Sequence, residues 1–137
     1  MNDGATTPDE ALFQQGLIAY DAANYVEAQA RFEELLSTYP DSSRRDNAAY
    51  LAGRCRYEQR DYAGAITALV DMRAQYPSSP FIHSAAYFTG RSRYQLLDYA
   101  GALTDFRTAL QVDAAGVFVD NSQYYVGRCL YEQGDLA

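Results

Sequence analysis

The feature that most constrains this chain is a repeat of 37 residues that runs through nearly its whole length. When the sequence is placed on itself at that offset, residues 47–83 and 84–120 are identical at fourteen of 37 positions. Self-similarity at such a period is typical of arrays in which each repeat is one small unit that packs on its neighbours. The chain therefore divides into three frames, 10–46, 47–83 and 84–120, and a partial fourth frame, 121–137.

Each frame predicts two helices. In its second half, apolar residues recur at the i, i+3, i+4, i+7 spacing of one helical face. The clearest such stripe consists of Tyr62, Ala65, Ile66 and Leu69. Asn24, Asp61 and Asp98 stand just ahead of the three stripes, where their side chains can accept hydrogen bonds from first-turn amides. Since no segment alternates like a strand, we expect an all-α superhelix of seven helices, three complete hairpins and a partial fourth.

The ends of the chain set the limits of the array. Thr7 can cap the first helix, Pro8 suits its first turn, and Glu10 can bond back to the cap. We expect residues 1–8 to be a disordered or capping segment and residues 9–137 to form a single array. The fourth frame stops where its second helix is due, so we also expect the natural chain to continue.

Two of the junctions between frames are alike and the third differs. Residues 39–43 and 76–80 both carry a tyrosine, a proline that stops the preceding helix, and small polar residues. Residues 113–117 lack the tyrosine and the proline. We therefore expect the third junction to be looser or differently angled.

The pattern within each frame resembles the tetratricopeptide repeat over residues 10–137. In the second frame it consists of Gly53, Asp61, Tyr62, Ala65, Leu69 and Pro77. The three residues beyond the usual repeat length fall in the inter-repeat loop, and Tyr-Pro-Asp-Ser at 39–42 is similar to loops of two envelope families, the Tol-Pal TolA-binding proteins and the BamD-type outer-membrane lipoproteins. Arg56 and Arg93 depart from the repeat, because a tyrosine usually packs there; we expect their aliphatic stems to lie along the interface.

The resemblance also implies a binding surface. In the family, one side of the first helix of each repeat lines a concave groove, and on a helical wheel that side carries the large side chains while the opposite side carries alanines. The predicted peptide-binding residues are Asn47, Tyr50, Arg54, Tyr57, Ser84, Tyr87, Arg91, Tyr94, Asn121, Tyr124, Arg128 and Tyr131, with Phe13, Leu17 and Tyr20 as an apolar start in the first frame.

These residue types suit an extended peptide. Tyrosine offers flat contact area at a low entropic cost, and the arginine fork binds a carboxylate at two points. An alternative is that the arginines serve the protein itself, because Arg54 and Arg128 each have a glutamate four residues on, Glu58 and Glu132, whereas Arg91 has Gln95. Part of each tyrosine ring is also expected to pack on the next repeat, more for Tyr57, Tyr94 and Tyr131 than for Tyr50, Tyr87 and Tyr124.

Composition removes several function classes. The net charge of −7 and the pI near 4.5 disfavour nucleic acid as a partner, and no apolar stretch reaches the length of a membrane span. We expect no cofactor, no metal site and no catalytic centre: the single histidine, His83, has no second ligand near it in sequence and is expected at the surface or in a cap. Cys55 and Cys129 lie two frames apart on the small side, which predicts two buried free thiols.

The sequence thus favours a non-catalytic scaffold that holds a peptide segment or partner domain in its groove. The alternatives are a module that self-associates through its last helix, and a cytoplasmic adaptor domain of a larger protein. A periplasmic or cell-envelope location follows from the resemblance alone, since the first residues do not form a signal sequence.

Overall fold

The structure, a computed structural model, describes residues 5–134 as a row of helices with no strand in that range. The helices are α1 (Pro8–Asp21), α2 (Tyr25–Thr38), α3 (Arg45–Glu58), α4 (Tyr62–Gln75), α5 (Ile82–Gln95), α6 (Tyr99–Val112) and α7 (Val119–Glu132). Each has 14 residues. Helices of the same kind begin 37 residues apart, so the period of the sequence is the period of the fold. The all-α solenoid of helical hairpins is confirmed; the segment from Asp135, where another helix was expected, lies outside the described residues.

The turn inside each hairpin is set by a cap and by one left-handed residue. The side chains of Asn24, Asp61 and Asp98 accept hydrogen bonds from the amides three residues on, at 3.4, 3.0 and 3.0 Å, which confirms the predicted caps. The residue before each cap has a positive φ: 60° at Ala23, 64° at Arg60 and 66° at Leu97. The left-handed conformation ends the first helix and lets the second begin within three residues.

Close contact of the two helices in a hairpin depends on a glycine in the first. A Cβ atom on Gly53 would lie 2.6 Å from the side chain of Leu69, and one on Gly90 would lie 2.8 Å from the ring of Phe106. Gly16 faces Phe32 in the same way in the first hairpin. A helical glycine costs about 1 kcal/mol relative to alanine, so its presence here reflects the close approach of a large buried side chain.

Consecutive hairpins are joined by a side chain that precedes each first helix and covers an aromatic ring of the hairpin before. The pairs are Arg44 over Phe13 (5.1 Å from guanidinium carbon to ring centre), Phe81 on Tyr50 (5.6 Å between ring centres, 12° between planes) and Phe118 on Tyr87 (4.4 Å, 4°). Because the covering residue stands at the N-cap of α3, α5 or α7, the start of a new hairpin seals the one before it.

The first two junctions also share a hydrogen-bond relay. The Ser42 hydroxyl donates to Asp9 at 2.6 Å and accepts from the Arg44 amide at 3.2 Å. One repeat later, the Ser79 hydroxyl donates to Asp46 at 2.6 Å and accepts from the amide of Phe81 at 3.1 Å. Each serine thus satisfies an N-cap amide and ties it to the first helix of the preceding hairpin.

The third junction keeps this connection with different residues. Gly116 stands where the serines stand, and His83 stands where the aspartates stand. Nδ1 of His83 bonds to the carbonyl of Ala109 at 2.8 Å, and Nε2 accepts directly from the Phe118 amide at 3.0 Å. The buried imidazole thus replaces the relay, and a looser or differently angled third junction stays a prediction. Of the two roles expected for His83, the surface position is wrong, because the side chain is buried, whereas its bond to the amide of the α7 N-cap residue is a capping contact.

Of the remaining local predictions, some are confirmed and others are wrong. Cys55 and Cys129 are buried and free, as predicted, and burial raises the pKa of their thiols to about 12 and about 11. Pro8 begins α1 with Thr7 as its N-cap residue, but the Thr7 hydroxyl makes no capping bond. Glu10 does not bond back to the cap; its carboxylate binds the Arg44 guanidinium at 2.9 and 3.1 Å, an attraction stronger than that of a neutral amide.

Candidate peptide-binding groove

Two rows of predicted site residues lie along the first helices of the four frames. We call them together the first-helix face: Leu17, Arg54, Arg91 and Arg128 form one row, and Tyr20, Tyr57, Tyr94 and Tyr131 the other. They come from α1, α3, α5 and α7, one pair per helix, because each tyrosine follows its row partner by three residues, almost one helical turn.

Two arginines of this face, Arg54 and Arg91, are held between aromatic rings of two other hairpins, whereas Arg128 lies over Tyr131 of its own helix. The guanidinium carbon of Arg54 lies 5.6 Å from the ring centre of Tyr20 and 4.3 Å from that of Phe88. The same arrangement recurs one hairpin further along, where the guanidinium carbon of Arg91 lies 5.7 Å from the ring centre of Tyr57 and 4.6 Å from that of Tyr125. These distances are those of cation–π contacts. Each side chain therefore spans three consecutive hairpins, and its position is fixed before any ligand arrives.

The acceptors available to the three arginines differ. Arg128 pairs with Glu132 at 3.3 Å, whereas Arg54 is 3.9 Å from Glu58 and only 3.5 Å from the Tyr50 hydroxyl. Arg91 has no carboxylate within 4.0 Å in the range 5–134, and its Nη1 donates to the Tyr87 hydroxyl at 2.7 Å. The alternative that these arginines pair with acids of the protein itself therefore holds for Arg128, holds only weakly for Arg54 and fails for Arg91.

The charge on Arg91 is permanent. Burial lowers the pKa of its guanidinium, but the hydrogen bond to Tyr87 and the surrounding tyrosines outweigh this, so the pKa stands above its ordinary value. The Nε atoms of Arg54 and Arg91 are buried without a hydrogen-bond partner in the described part of the chain. Half-buried cations with an unused donor favour an anionic group on a partner.

Three of the residues predicted for the groove are not in it. Phe13, Tyr50 and Tyr87 are buried, with 1, 5 and 1% of their surface exposed. They lie under the covering residues Arg44, Phe81 and Phe118. The next hairpin therefore buries side chains that a helical wheel of one helix predicts to be exposed. Tyr124, the fourth member of this series, is 59% exposed.

Tyr57 and Tyr94 pack on the next repeat as predicted, edge-on to Phe88 and Tyr125 with 5.2 Å between ring centres in each pair. Tyr50 and Tyr87 are nevertheless buried more deeply, contrary to the expected order, and Tyr124 and Tyr131 are exposed alike. Tyr57 and Tyr94 are half-buried, each edge-on to the first tyrosine of the second helix in its own hairpin, Tyr62 or Tyr99, and Tyr131 is 57% exposed. Desolvation raises the pKa of Tyr57 to about 12, so its hydroxyl keeps its proton. Tyr57, Tyr94 and Tyr131 keep exposed surface that a partner could contact, whereas Tyr50 and Tyr87 are almost completely buried.

The other predicted positions occupy the margin of this face. Leu17 is half-buried and packs on the core, which leaves part of an apolar side chain open in the first hairpin. Asn47 and Ser84 are half-buried and Asn121 is exposed.

Several arginines outside the face are bound to acids. Arg56 binds Glu33 at 3.1 Å and Asp61 at 3.0 Å. Arg93 lies 2.9 Å from the buried carboxylate of Asp105, which also binds Arg73 at 3.1 Å. Sequence reasoning missed this triad, and it missed the aromatic neighbours of the face, Phe88 and Tyr125. The available signal was an aromatic residue 34 positions after Arg54 and again after Arg91.

Other kinds of site have no support in the residues described. No group of three or more His, Cys, Asp or Glu side chains there could hold a metal ion. Within the same range, none of the helices has the length and apolar character needed to cross a membrane. What the first-helix face offers is a row of cations with aromatic rings between them.

Comparisons with known proteins agree with this picture at the level of family and fold. The family model described as YfiO, an outer membrane lipoprotein, matches residues 5–115. No curated protein sequence matches the chain. Among solved structures, the tetratricopeptide-repeat domain of OM64 from Arabidopsis is similar, with a TM-score of 0.75 and 16% identity over 88% of this chain and 93% of that one. The tetratricopeptide fold is confirmed, these matches point to an interaction module and to no enzyme family, and the resemblance to the Tol-Pal proteins stays a prediction.

Proposed function

Because the chain belongs to the family of YfiO outer membrane lipoproteins, we propose that it is a non-catalytic scaffold of the bacterial cell envelope that holds a peptide segment or partner domain along its first-helix face. Arrays of helical hairpins commonly bind along the continuous surface that their repeats build together. The proposal needs a surface whose side chains are fixed but not fully used by the fold.

The observation that carries the proposal is the state of Arg91. Its guanidinium is positioned by Tyr57 and Tyr125 and has no carboxylate within 4.0 Å in the described chain. The Tyr87 hydroxyl and the two rings offset the hydration that this half-buried cation has lost, but its charge has no opposite charge beside it within the described chain. A carboxylate on a partner would supply the missing pair, and Leu17 and Tyr20 would contact an apolar residue of the same partner.

Photo-crosslinking tests the face directly. We would place p-benzoylphenylalanine at the exposed groove position Tyr131 and, as a matched control, at the exposed α4 position Thr67. Irradiation in cells should give discrete adducts with another protein from position 131 and none from position 67, and mass spectrometry would identify the partner. Adducts of equal yield from both positions, or from position 67 alone, would place the binding surface elsewhere.

Self-association is a second candidate function, favoured by the exposure of α7. Tyr124 is 59% exposed, whereas its counterparts Tyr50 and Tyr87 are covered by Phe81 and Phe118. A second copy could cover it. The same crosslinking experiment separates the two candidates, because a homodimer adduct supports self-association and a heterologous adduct supports the scaffold. Sedimentation over a hundredfold range of concentration provides the independent check: a monomer throughout contradicts self-association.

The envelope location has its own test. Fractionation of cells that produce the natural protein should place it in the membrane-associated envelope fraction. Recovery with the cytosolic enzymes would instead support the adaptor alternative.

A further inference from the structure

We infer that the open side of α7 is the docking site for one further helix of this protein. That helix follows Gly134 in the natural chain, runs antiparallel to α7 and places a large apolar side chain on Gly127. The contact is separate from the ligand site on the first-helix face, so either one can be present without the other.

Gly127 differs from the three glycines with which it is in register. A Cβ atom on Gly16, Gly53 or Gly90 would lie 2.5–2.8 Å from a large side chain of the second helix in the same hairpin, whereas one on Gly127 would have no neighbour within 4 Å in the described chain. A glycine inside a helix is destabilising relative to alanine. Close approach of a second helix offsets that loss in the other hairpins, so Gly127 indicates a contact beyond residues 5–134.

Tyr131 lacks the neighbour that its counterparts have. Tyr20, Tyr57 and Tyr94 each have a tyrosine of the second helix edge-on to the ring, with 5.2–5.7 Å between ring centres. Tyr131 is 57% exposed. Among the second helices of residues 5–134, only α6 packs closely on α7, whereas α3 and α5 each lie between two of them. The open side of α7 is therefore the side on which each other first helix carries its hairpin partner.

The turn after α7 favours a helix of the same chain. Gly134 has a φ of 79°, and its amide donates to the carbonyl of Tyr131 at 3.0 Å. A positive φ and the corresponding bond, at 2.9–3.0 Å, occur at the residues that lead into α2, α4 and α6, namely Ala23, Arg60 and Leu97. In the sequence, Asp135 follows in register with the three helix caps. The chain thus leaves α7 as it leaves the other first helices.

A second copy of the protein is a poor source of this helix. Its α2, α4 and α6 each pack between two first helices. The side chains that would have to reach Gly127 are already fully buried there: Phe32, Leu69 and Phe106. Donating one of these helices would open the core of the copy that gives it up.

The three complete hairpins define the chemistry of the missing helix. The side chain that packs on the glycine stands sixteen residues after it, and a fully buried alanine stands four residues before that side chain. The alanines are Ala28, Ala65 and Ala102. By the same spacing, the natural chain should carry Phe, Leu or a side chain of similar size sixteen residues after Gly127, with an alanine four residues before it. Both lie on one face of a helix, because they are four residues apart.

Substitution of Gly127 tests the contact, because its effect changes sign when a helix covers the glycine. In a protein of residues 1–137, Gly127→Leu meets open space and removes a poor helix former, so the Tm should rise by about 3 °C. In the natural protein the added side chain would collide with the docked helix, so the Tm should fall by about 5 °C. Differential scanning calorimetry measures both shifts.

Two further variants connect the shift to this contact. Gly90→Leu is the matched control, since Phe106 already fills the space beside Gly90, and it should lower the Tm of both proteins. In the natural protein, alanine in place of the large side chain sixteen residues after Gly127 should also lower the Tm. Combining that change with Gly127→Leu should recover part of the loss, because the leucine occupies the vacated space.

Two results would overturn the inference. One is a rise in Tm for Gly127→Leu in the natural protein that equals the rise in residues 1–137, and the other is an intact mass that ends the natural chain at Ala137. Crosslinks from p-benzoylphenylalanine at position 124 would then identify the true occupant, because an adduct with another protein indicates a partner and a homodimer adduct indicates a second copy. The proposed function is decided separately, by the crosslinks from position 131.

Discussion

The first two junctions between hairpins are built from serine and aspartate, whereas the third is built from glycine and histidine. In the first two, the hydroxyl of Ser42 or Ser79 links an N-cap amide to a carboxylate of the preceding hairpin. In the third, the imidazole of His83 reaches the Phe118 amide without an intermediate, and Gly116 leaves room for it.

The comparison teaches that the array conserves a connection rather than a residue. An unpaired buried amide costs about as much as a lost hydrogen bond, so every junction must supply an acceptor for it. A histidine facing a glycine supplies this acceptor as well as a serine that is bonded to an aspartate does. Positions 83 and 116 are therefore coupled, and changing either alone should cost more than changing both.

The largest expected effect concerns the rings that cover each junction. Phe118→Ala should lower the free energy of unfolding by about 3 kcal/mol, because the ring stacks on Tyr87 and also contacts Phe88 edge-on at 5.1 Å. Phe81→Ala, its counterpart one junction earlier, should cost about 2 kcal/mol. Urea unfolding followed by circular dichroism measures both. A larger cost for Phe81→Ala would show that the third junction is the weaker one after all.

The coupling of the third junction should appear next. A Cβ atom on Gly116 would lie 2.5 Å from Nε2 of His83, so Gly116→Ala should cost about 2 kcal/mol. His83→Asp alone should cost a similar amount, because the Phe118 amide loses its acceptor. The double change His83→Asp with Gly116→Ser rebuilds the pair of the other junctions and should return to within about 1 kcal/mol of the parent chain. Additive losses in the double variant would contradict the comparison.

A smaller effect is expected from the serine relay. Ser79→Ala should cost about 1 kcal/mol, since it leaves the Phe81 amide and the Asp46 carboxylate without a shared partner. Ser43→Ala, in the exposed part of the preceding junction, is the control and should leave the urea midpoint unchanged. An unchanged midpoint for Ser79→Ala as well would mean that water satisfies these groups equally well.

The smallest effect is a pH dependence confined to a serine junction. The hydrogen bond from Ser42 holds the pKa of Asp9 below its ordinary value. The associated stabilisation is therefore present above the unfolded pKa, about 3.9, and is lost as the pH falls through the folded pKa. Carbon-detected NMR titration should show the Asp9 pKa moving upward in Ser42→Ala. No movement would assign the shift to another neighbour.

Much of the fold could be predicted because its signals are local. Asn24, Asp61 and Asp98 cap helices within three residues of themselves, and burial of Cys55 and Cys129 follows from the side of the helix on which they lie. Such features need only the helical period and the 37-residue repeat. Their physical causes act within one hairpin, so the sequence contains them directly.

The candidate site was predicted only in part, because its residues meet across hairpins. A helical wheel assigns Tyr50 and Arg54 to the same side, yet Phe81 buries the first and leaves the second half-open. A helical wheel gives the direction in which each side chain points, but it does not show how much of that side chain the next hairpin covers. The same limit hid the contact of Arg54 with Phe88, which depends on the distance between two helices.

The amino-acid sequence by itself determined the repeat length, the seven helices found within residues 5–134 and the face on which each large side chain lies. The tertiary structure alone decided which of those side chains remain open and which acceptor each arginine and amide finds. The reason is that period and capping are short-range properties of the backbone, whereas coverage depends on how closely one hairpin packs against the next. His83 shows the difference most clearly, since only the packed junction gives that residue its two partners.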